Sequence, residues 1–578
     1  MKTKMLLLGC VIYTPLVFGQ FSESVIHLKP KPWGPMIWES KPPAGCPVEN
    51  SEELVAVMFT GQHADYTYAD TWYPSWAADD NLYSPYTDGV SGIWRLSRSN
   101  TGKDAVTGQA KIVGDDPMNL KITSLGAFPG SAAPYVGRYP CGSLVHNGIW
   151  YYGTYCLDQR PAGYNLGTLG PFVGFRVSTD KGITWQDGPF SCENSLFNES
   201  GKDGSVVKIG APHFVDFGRN MEHSPDGKAY LVGHGAMPND PEPRPANLSW
   251  VSGDQIYLTR VKPTVENIND PSKYEYFCGF GKKNTAIWSY DFSKIKPIFE
   301  WNNHTGCVTM TYNAALKKYI MCITDGWPTL KFMDTYFLES DHIEGPWKLI
   351  TYMENFGEQG YFVNIPTKFI SDDGFTSWLS YSGNFAPFTD LKVNPPGGRY
   401  GFILQEMKFL ARSAYAKYQR EDNSLQLKKA IEKWARENPL TGSLNLVRQA
   451  SVTASSVLSG YSAKAVIDGV VDGFPNNPQY EWASNDQTVN AKIRLSWDKK
   501  IKVSKIWLFD RPSHNEHIVA GGINMSDGST FYLGELPNAQ LAGKEISFPS
   551  KEIEWIEFVV LGVGRGKNIG LAEIAVFE

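Results

Sequence analysis

The sequence predicts an all-β chain: a β-propeller of five blades, followed by a second, smaller β domain. Three observations carry that prediction. A hairpin grammar returns five times, about every 60–95 residues, which is the rhythm of radially repeated sheets. Aromatic residues make up 13% of the 578 residues and glycines number 55, a composition suited to strands and tight turns. Between Ala411 and Asn438 the chain turns to Lys, Arg, Glu, Ala and Leu, dividing one strand-rich region from another. A large irregular β-sandwich is the competing reading of the same hairpins.

The first hairpin is the most informative. Asp70-Thr71-Trp72-Tyr73-Pro74-Ser75-Trp76-Ala77 and Leu82-Tyr83-Ser84-Pro85-Tyr86-Thr87-Asp88-Gly89 flank an Asp79-Asp80-Asn81 turn. Flat aromatic faces beside carboxylates are what a sugar ring needs, because its C–H face stacks while its hydroxyls hydrogen-bond. The second hairpin spans 140–152 around Asn147-Gly148, and the third spans 212–232 with an insertion before Pro225-Asp226-Gly227. The fourth spans 306–322 and the fifth 362–381. Residues 21–50 are a Pro-rich lead-in placed to clasp the closing blade.

Met1-Lys2-Thr3-Lys4-Met5 and the apolar run Leu6 to Phe18 form a secretory signal, so residues 1–20 are expected to be removed on export to the periplasm or beyond. Cys10 faintly suggests a lipid anchor, but the apolar stretch before it is too short, and no later run is long enough to span a bilayer. The net charge of -6 argues against nucleic acid and polybasic membrane contact. A monomer is expected. Seven cysteines follow the signal, and Cys141 with Cys156, or Cys307 with Cys322, are placed to cross adjacent strands.

Ser178-Thr179-Asp180-Lys181-Gly182-Ile183-Thr184-Trp185 reads as a tight turn in which Asp180 accepts backbone amides and Trp185 packs between blades. It resembles the Asp-boxes of sialidase-like propellers, which implies a structural Asp180. Leu425, Leu427, Ala430, Ile431 and Trp434 share one face, predicting a helix over 424–437 inside a linker of 411–442 that ends at Pro439-Leu440-Thr441-Gly442. The propeller then occupies 21–410 and the last domain 443–578. Within the latter, Asn445-Leu446-Val447-Arg448-Gln449-Ala450, Ala465-Val466-Ile467-Asp468-Gly469, Glu481-Trp482-Ala483-Ser484 and Gly570-Leu571-Ala572-Glu573-Ile574 form a series similar to discoidin (galactose-binding-like) jelly rolls. That resemblance implies a β-sandwich for glycan attachment, with a structural Ca²⁺ held by Asp468, Asp472 and Glu573. The alternative is an Asx turn and an ordinary strand glutamate.

In a propeller, residues just before each inner strand converge on a central funnel. Here they are Asp70 and Trp72, Arg138 and Tyr139, His213, His304, and Glu358 to Tyr361, with His63 and Asp65 ahead of the first hairpin and His223 in the third blade's insertion. A glycosidase needs a carboxylate pair, which Asp70 and Glu358 offer with Asp65 in reserve. Arginine and histidines beside them favour an anionic sugar: Arg138 pairs with a uronate carboxylate, His213 or His304 handles the C5 proton, and Tyr139 protonates the leaving oxygen. Asp70, Trp72, Glu358, His63, Asp65, His223 and Tyr361 then contact substrate.

The run from Asp70 to Tyr83 resembles secreted glycan-degrading propellers, among them L-rhamnose-α-1,4-D-glucuronate lyases acting on arabinogalactan. The resemblance implies a polysaccharide lyase on an acidic plant or algal polysaccharide, working by β-elimination without a catalytic cofactor. A propeller glycoside hydrolase and a non-catalytic glycan-binding protein are the two alternatives.

Overall fold

The computed structural model describes residues 21–91, 96–158, 168–202, 205–237, 249–326, 332–357, 359–383, 395–471, 473, 477–513, 516–564 and 566–578. Glu358, Asp472 and the export signal lie outside these residues. Five antiparallel sheets make the propeller. Blade 1 runs outward from Tyr68–Asp70 and Ser75–Trp76 through Leu82–Val90 and Val106–Val113 to Lys121–Pro129. Blade 2 is Gly137–His146, Ile149–Asp158 and Thr168–Ser178; blade 3 starts from Gly210–Phe214, Ala229–Gly235 and Gln255–Val261. Blade 4 is Val308–Asn313, Lys318–Asp325, Asp334–Ser340 and Lys348–Met353.

Blade 5 closes the ring. Its inner strands Tyr361–Asn364, Thr376–Ser382 and Phe402–Leu410 come from the end of the propeller, but its outer strands Ala56–Tyr66 and Met36–Ile37 come from the start. Ala56 lies opposite Leu410 and Tyr66 opposite Phe402. All five expected hairpins fall on the inner two strands of successive blades. Hydrogen bonds stitch the blades at the axis: Ser75 Oγ accepts from Val145 N at 2.8 Å, Thr311 Oγ1 donates to Ile365 O at 2.7 Å, and Asn364 Nδ2 donates to Trp72 O at 3.0 Å.

The Asp180 turn is scaffold. Its carboxylate accepts from Thr184 N at 2.8 Å and Ile183 N at 3.1 Å, and Gly182 takes a φ of +94° that a side chain would strain. Trp185 packs between Phe128 of blade 1 and Trp150 and Tyr152 of blade 2.

The cysteine expectation is corrected: the disulfide joins Cys156 to Cys192. Cys141 belongs to the large core cluster, whereas Cys156 packs with Tyr135 and Val173, so the two point to opposite faces of blade 2. Cys307 and Cys322 fall in different core clusters, and the residue opposite Cys322 in the ladder is Thr309, not Cys307.

Two helices, Arg412–Tyr418 and Asn423–Glu437, follow the propeller, and Asp422 caps the second by accepting from Leu425 N at 3.3 Å. The remaining residues supply seven strands of an eight-stranded sheet system, built around the long strands Lys492–Asp510 and Ala542–Val563, with its own core including Trp482, Trp497, Phe531 and Phe558. Ser22–His27 pairs with this second unit, Ser22 opposite Ser547, before the chain enters the propeller.

Candidate active site

The inner strands run the same way along the axis, so their first residues gather at one end. Asp70 sits there, 8% exposed, accepting from the Tyr361 hydroxyl at 2.9 Å and from Thr71 Oγ1 at 3.0 Å. Its ladder partner is Thr87, which places Asp88 beside it. Asp88 is half-buried and accepts from Ser99 N at 2.7 Å. Burial, and then the charge of Asp88, holds the Asp70 carboxyl well above the usual carboxylate range. Burial also pushes Asp88 up to about 6. Two carboxyls so placed resist ionising together, which leaves one as an acid beside a base.

Tyrosines enclose the pair. Tyr400 Oη donates to Asp88 O at 2.7 Å, and its ring meets Tyr68 at 5.0 Å. Tyr139 packs on Tyr155 at 5.9 Å, and Trp250 stands edge-on to Tyr361 at 5.2 Å. Burial and the charge of Asp70 push the phenols of Tyr361 and Tyr400 far up, so both stay neutral donors at any working pH.

The same end carries a histidine–carboxylate pair. His304 Nδ1 pairs with Asp325 Oδ2 at 2.6 Å, and Trp301 lies on its ring at 4.4 Å. The His304 side chain is 22% exposed and Asp325 only 1%, so a buried carboxylate orients a partly open imidazole. Arg138 is half-buried in the seam between blades 1 and 2, with Nε donating to Thr154 Oγ1 at 2.9 Å and a terminal nitrogen to Ser131 O at 3.4 Å. Burial, then neighbouring Arg176, brings it down to about 10. Among the described residues no carboxylate lies within salt-bridge distance of it.

Asp70, Tyr361, Tyr139, Arg138 and His304 therefore lie at or just before the starts of the inner strands at one end of the axis; Trp72, His213, His63, Asp65 and His223 do not take part in that group. Trp72 is corrected to a core residue: 1% exposed, stacked on Tyr86 at 5.2 Å, its indole N–H donating to Ala69 O at 2.8 Å, it offers no face to a sugar. His213 lies further down the axis, 2% exposed, against Tyr73 at 3.9 Å; burial lowers it to about 3, which makes it a poor base at neutral pH. His63 and Asp65 belong to the strand that closes blade 5, away from the axis, where His63 contacts Trp33 and Asp65 is bound by Arg399. His223 is exposed in the loop after the inner strand of blade 3, at the opposite end of the axis, beside Glu222 and Tyr312.

Sequence reasoning missed Asp88, Asp325 and Tyr400. Asp88 was visible as the end of the first hairpin, one residue past the partner of Asp70. Tyr400 had no local signal, being 312 residues from Asp88.

In the second unit Glu573 is fully buried; Oε2 accepts from Gly469 N at 3.0 Å while Oε1 has no protein partner. Burial, with the adjacent Asp468 adding to it, raises this carboxyl well above its ordinary range. A buried carboxylate oxygen without a donor, next to a second carboxylate, fits the oxygen shell of a hard cation.

A family model described as a domain of unknown function, DUF7402, matches residues 445–577. No curated protein matches the chain in sequence. Similar solved structures include a protein described as a glycoside hydrolase, 11% identical, covering 89% of this chain and 99% of its own with a TM-score of 0.40. A family 32 carbohydrate-binding module from C. perfringens NanJ, solved with galactose, is 21% identical and covers 23% of this chain and 96% of its own with a TM-score of 0.19. A second Clostridium perfringens module, solved with GalNAc-β-1,3-galactose, is 19% identical and covers 23% of this chain and 97% of its own with a TM-score of 0.20.

Proposed function

We propose that the chain is an exported glycan-cleaving enzyme whose acid–base chemistry is carried by Asp70 and Asp88. The observation behind this reading is the pair itself: two adjacent carboxyls, both held above their ordinary range, under neutral tyrosine donors at one end of a propeller axis. One carboxyl protonates the glycosidic oxygen while the other attacks or activates water, which is the division of labour in glycoside hydrolysis. Tyr361 holds Asp70 in place and Tyr400 holds the backbone of Asp88. The Cys156–Cys192 disulfide supports export to an oxidising compartment.

A β-eliminating lyase on a uronate-containing glycan, such as rhamnose-capped arabinogalactan, is the second reading. It is favoured by Arg138, which forms no ion pair with a carboxylate among the described residues, and by the oriented His304–Asp325 pair. Incubation with neutral and acidic plant and algal polysaccharides separates the two. A hydrolase yields saturated reducing ends and loses turnover in Asp88→Asn; a lyase yields ultraviolet-absorbing unsaturated uronate and loses turnover in Arg138→Gln. No product from any glycan sinks both.

For the second unit we infer a discoidin-like glycan-attachment module, with a structural Ca²⁺ held by Asp468 and Glu573. The ion would neutralise the buried Glu573 oxygen and brace the loop after Asp468.

A further inference from the structure

A cleft of about 710 Å³ opens where the propeller, the second helix and the C-terminal unit meet. Its volume is that of a small-molecule site, roughly 300–1,000 Å³, and junctions between domains are where such sites concentrate. Two indoles flank it. The Trp434 N–H donates to Lys29 O at 2.9 Å and the Trp507 N–H to Glu545 at 2.8 Å, so the polar edge of each ring is satisfied and pinned. Both rings are half-buried.

Gln62, from the strand closing blade 5, and Asn119, from a turn of blade 1, line the same cleft. Among the described residues neither side-chain amide has a hydrogen-bond partner, although both backbones are engaged. The charges that line the cleft balance in number: Lys433 pairs with Glu437 at 3.8 Å, and Lys29 and Asp116 contribute one charge of each sign. Burial lowers His27 below its ordinary value, which keeps it neutral near pH 7. This lining offers aromatic faces for C–H surfaces and free amides for hydroxyls, with no cluster of cations to hold a phosphate or a polyuronate.

We propose that this cleft is a second glycan site, binding a short neutral oligosaccharide segment distinct from the axial site. The proposal rests on the reading of the chain as a glycan-acting enzyme, and it deepens that reading by joining propeller and C-terminal unit in one sugar-binding surface. The N-terminal strand, held to the C-terminal unit before it enters the propeller, forms one wall.

The test is calorimetric titration of the full chain carrying Asp88→Asn with cellotetraose, β-1,4-galactotetraose and trigalacturonate. At least one neutral probe is expected to bind, and Trp434→Ala to weaken it tenfold or more. Trp434→Phe, which keeps a ring, should weaken it less. Asn119→Ala lies on an exposed, unpartnered side chain and leaves the fold intact; it should weaken binding severalfold. The proposal is overturned if neither neutral probe binds, if trigalacturonate alone binds, or if both Trp434→Ala and Asn119→Ala titrate like their parent. Cleavage is scored separately on the chain with Asp88 intact. Loss of cleavage with retained neutral binding condemns the axial reading alone, and cleavage without cleft binding condemns the cleft alone.

Discussion

Replacing Asp88 by Asn should make the protein more stable above pH 6 while removing its activity. Asp88 has an ordinary value of 3.8 and is pushed up to about 6 in the folded chain. At about 1.4 kcal/mol for each tenfold change in proton affinity, ionising it in place costs about 3 kcal/mol more than in the unfolded chain. The group binds its proton more tightly when folded, so its contribution to stability is fully present below pH 3.8. That contribution is lost as pH rises through about 6. Asparagine retains an oxygen for the Ser99 amide and carries no charge to desolvate. Denaturant unfolding of wild type and Asp88→Asn from pH 4 to 8 should show little difference at the acid end. The gap should open between pH 3.8 and about 6 and level off at about 3 kcal/mol in favour of the variant at the alkaline end. In the same preparations kcat should fall by about 10² to 10⁴, the usual worth of a general acid or base. Wild-type kcat/KM should rise as pH climbs through about 6, where Asp88 loses its proton and becomes the base or nucleophile beside Asp70, whose carboxyl is held higher. A stability difference that is flat with pH, or one favouring wild type at pH 8, would refute the assignment of a strained carboxyl. Full turnover in Asp88→Asn would refute its role.

Other measurements probe the scaffold. Trp72→Ala should cost about 3–5 kcal/mol of stability, as an indole lost from the interior of blade 1, whereas a sugar-stacking Trp72 would raise KM and leave unfolding unchanged. Removing the Cys156–Cys192 bridge, which closes a separation of 36 residues, should cost about 2–5 kcal/mol under oxidising conditions and nothing under reducing ones. In the C-terminal unit, burial opposes charge on His517, but Asp510 and Glu535, each at 2.7 Å, outweigh it and lift the imidazole to about 9. Its folded value is the raised one, so the advantage of wild type over His517→Gln should be greatest below pH 6.5. It should shrink as pH climbs through about 9, as read by thermal unfolding. Chelation should lower the unfolding temperature of wild type and leave Glu573→Gln unmoved; an unaffected wild type would remove Ca²⁺ from the account.

How much of this was legible in the sequence follows the range of the forces involved. Five hairpins and the Asp180 turn were readable because each is closed by residues a few positions apart: Asn147-Gly148 forms its turn whatever the rest of the chain does, and Asp180 reaches only to Thr184. The all-β architecture followed from them, since paired strands with buried faces must find further strands. Proximity along the chain misled where the ring closes. His63 and Asp65 precede the first hairpin in sequence, yet Ala56–Tyr66 is drawn into the last blade, where it covers the outer edge of Phe402–Leu410 and ties the start of the propeller to its end. The disulfide depended on which face of a strand each sulfur occupies, a matter of register that Cys spacing does not encode. The candidate site at one end of the axis was half visible: Asp70, Tyr139, Tyr361 and His304 could be named from the starts of inner strands. The proton affinities that distinguish Asp70 and Asp88 from other carboxylates could not. They arise from burial and, for Asp70, from the charge of Asp88, partly offset by hydroxyl donors such as Tyr400, which sequence places at the far end of the propeller and folding places against Asp88. Strand pairing is a short-range property of the chain, whereas the electrostatics of a buried site belong to whatever the closed ring brings together.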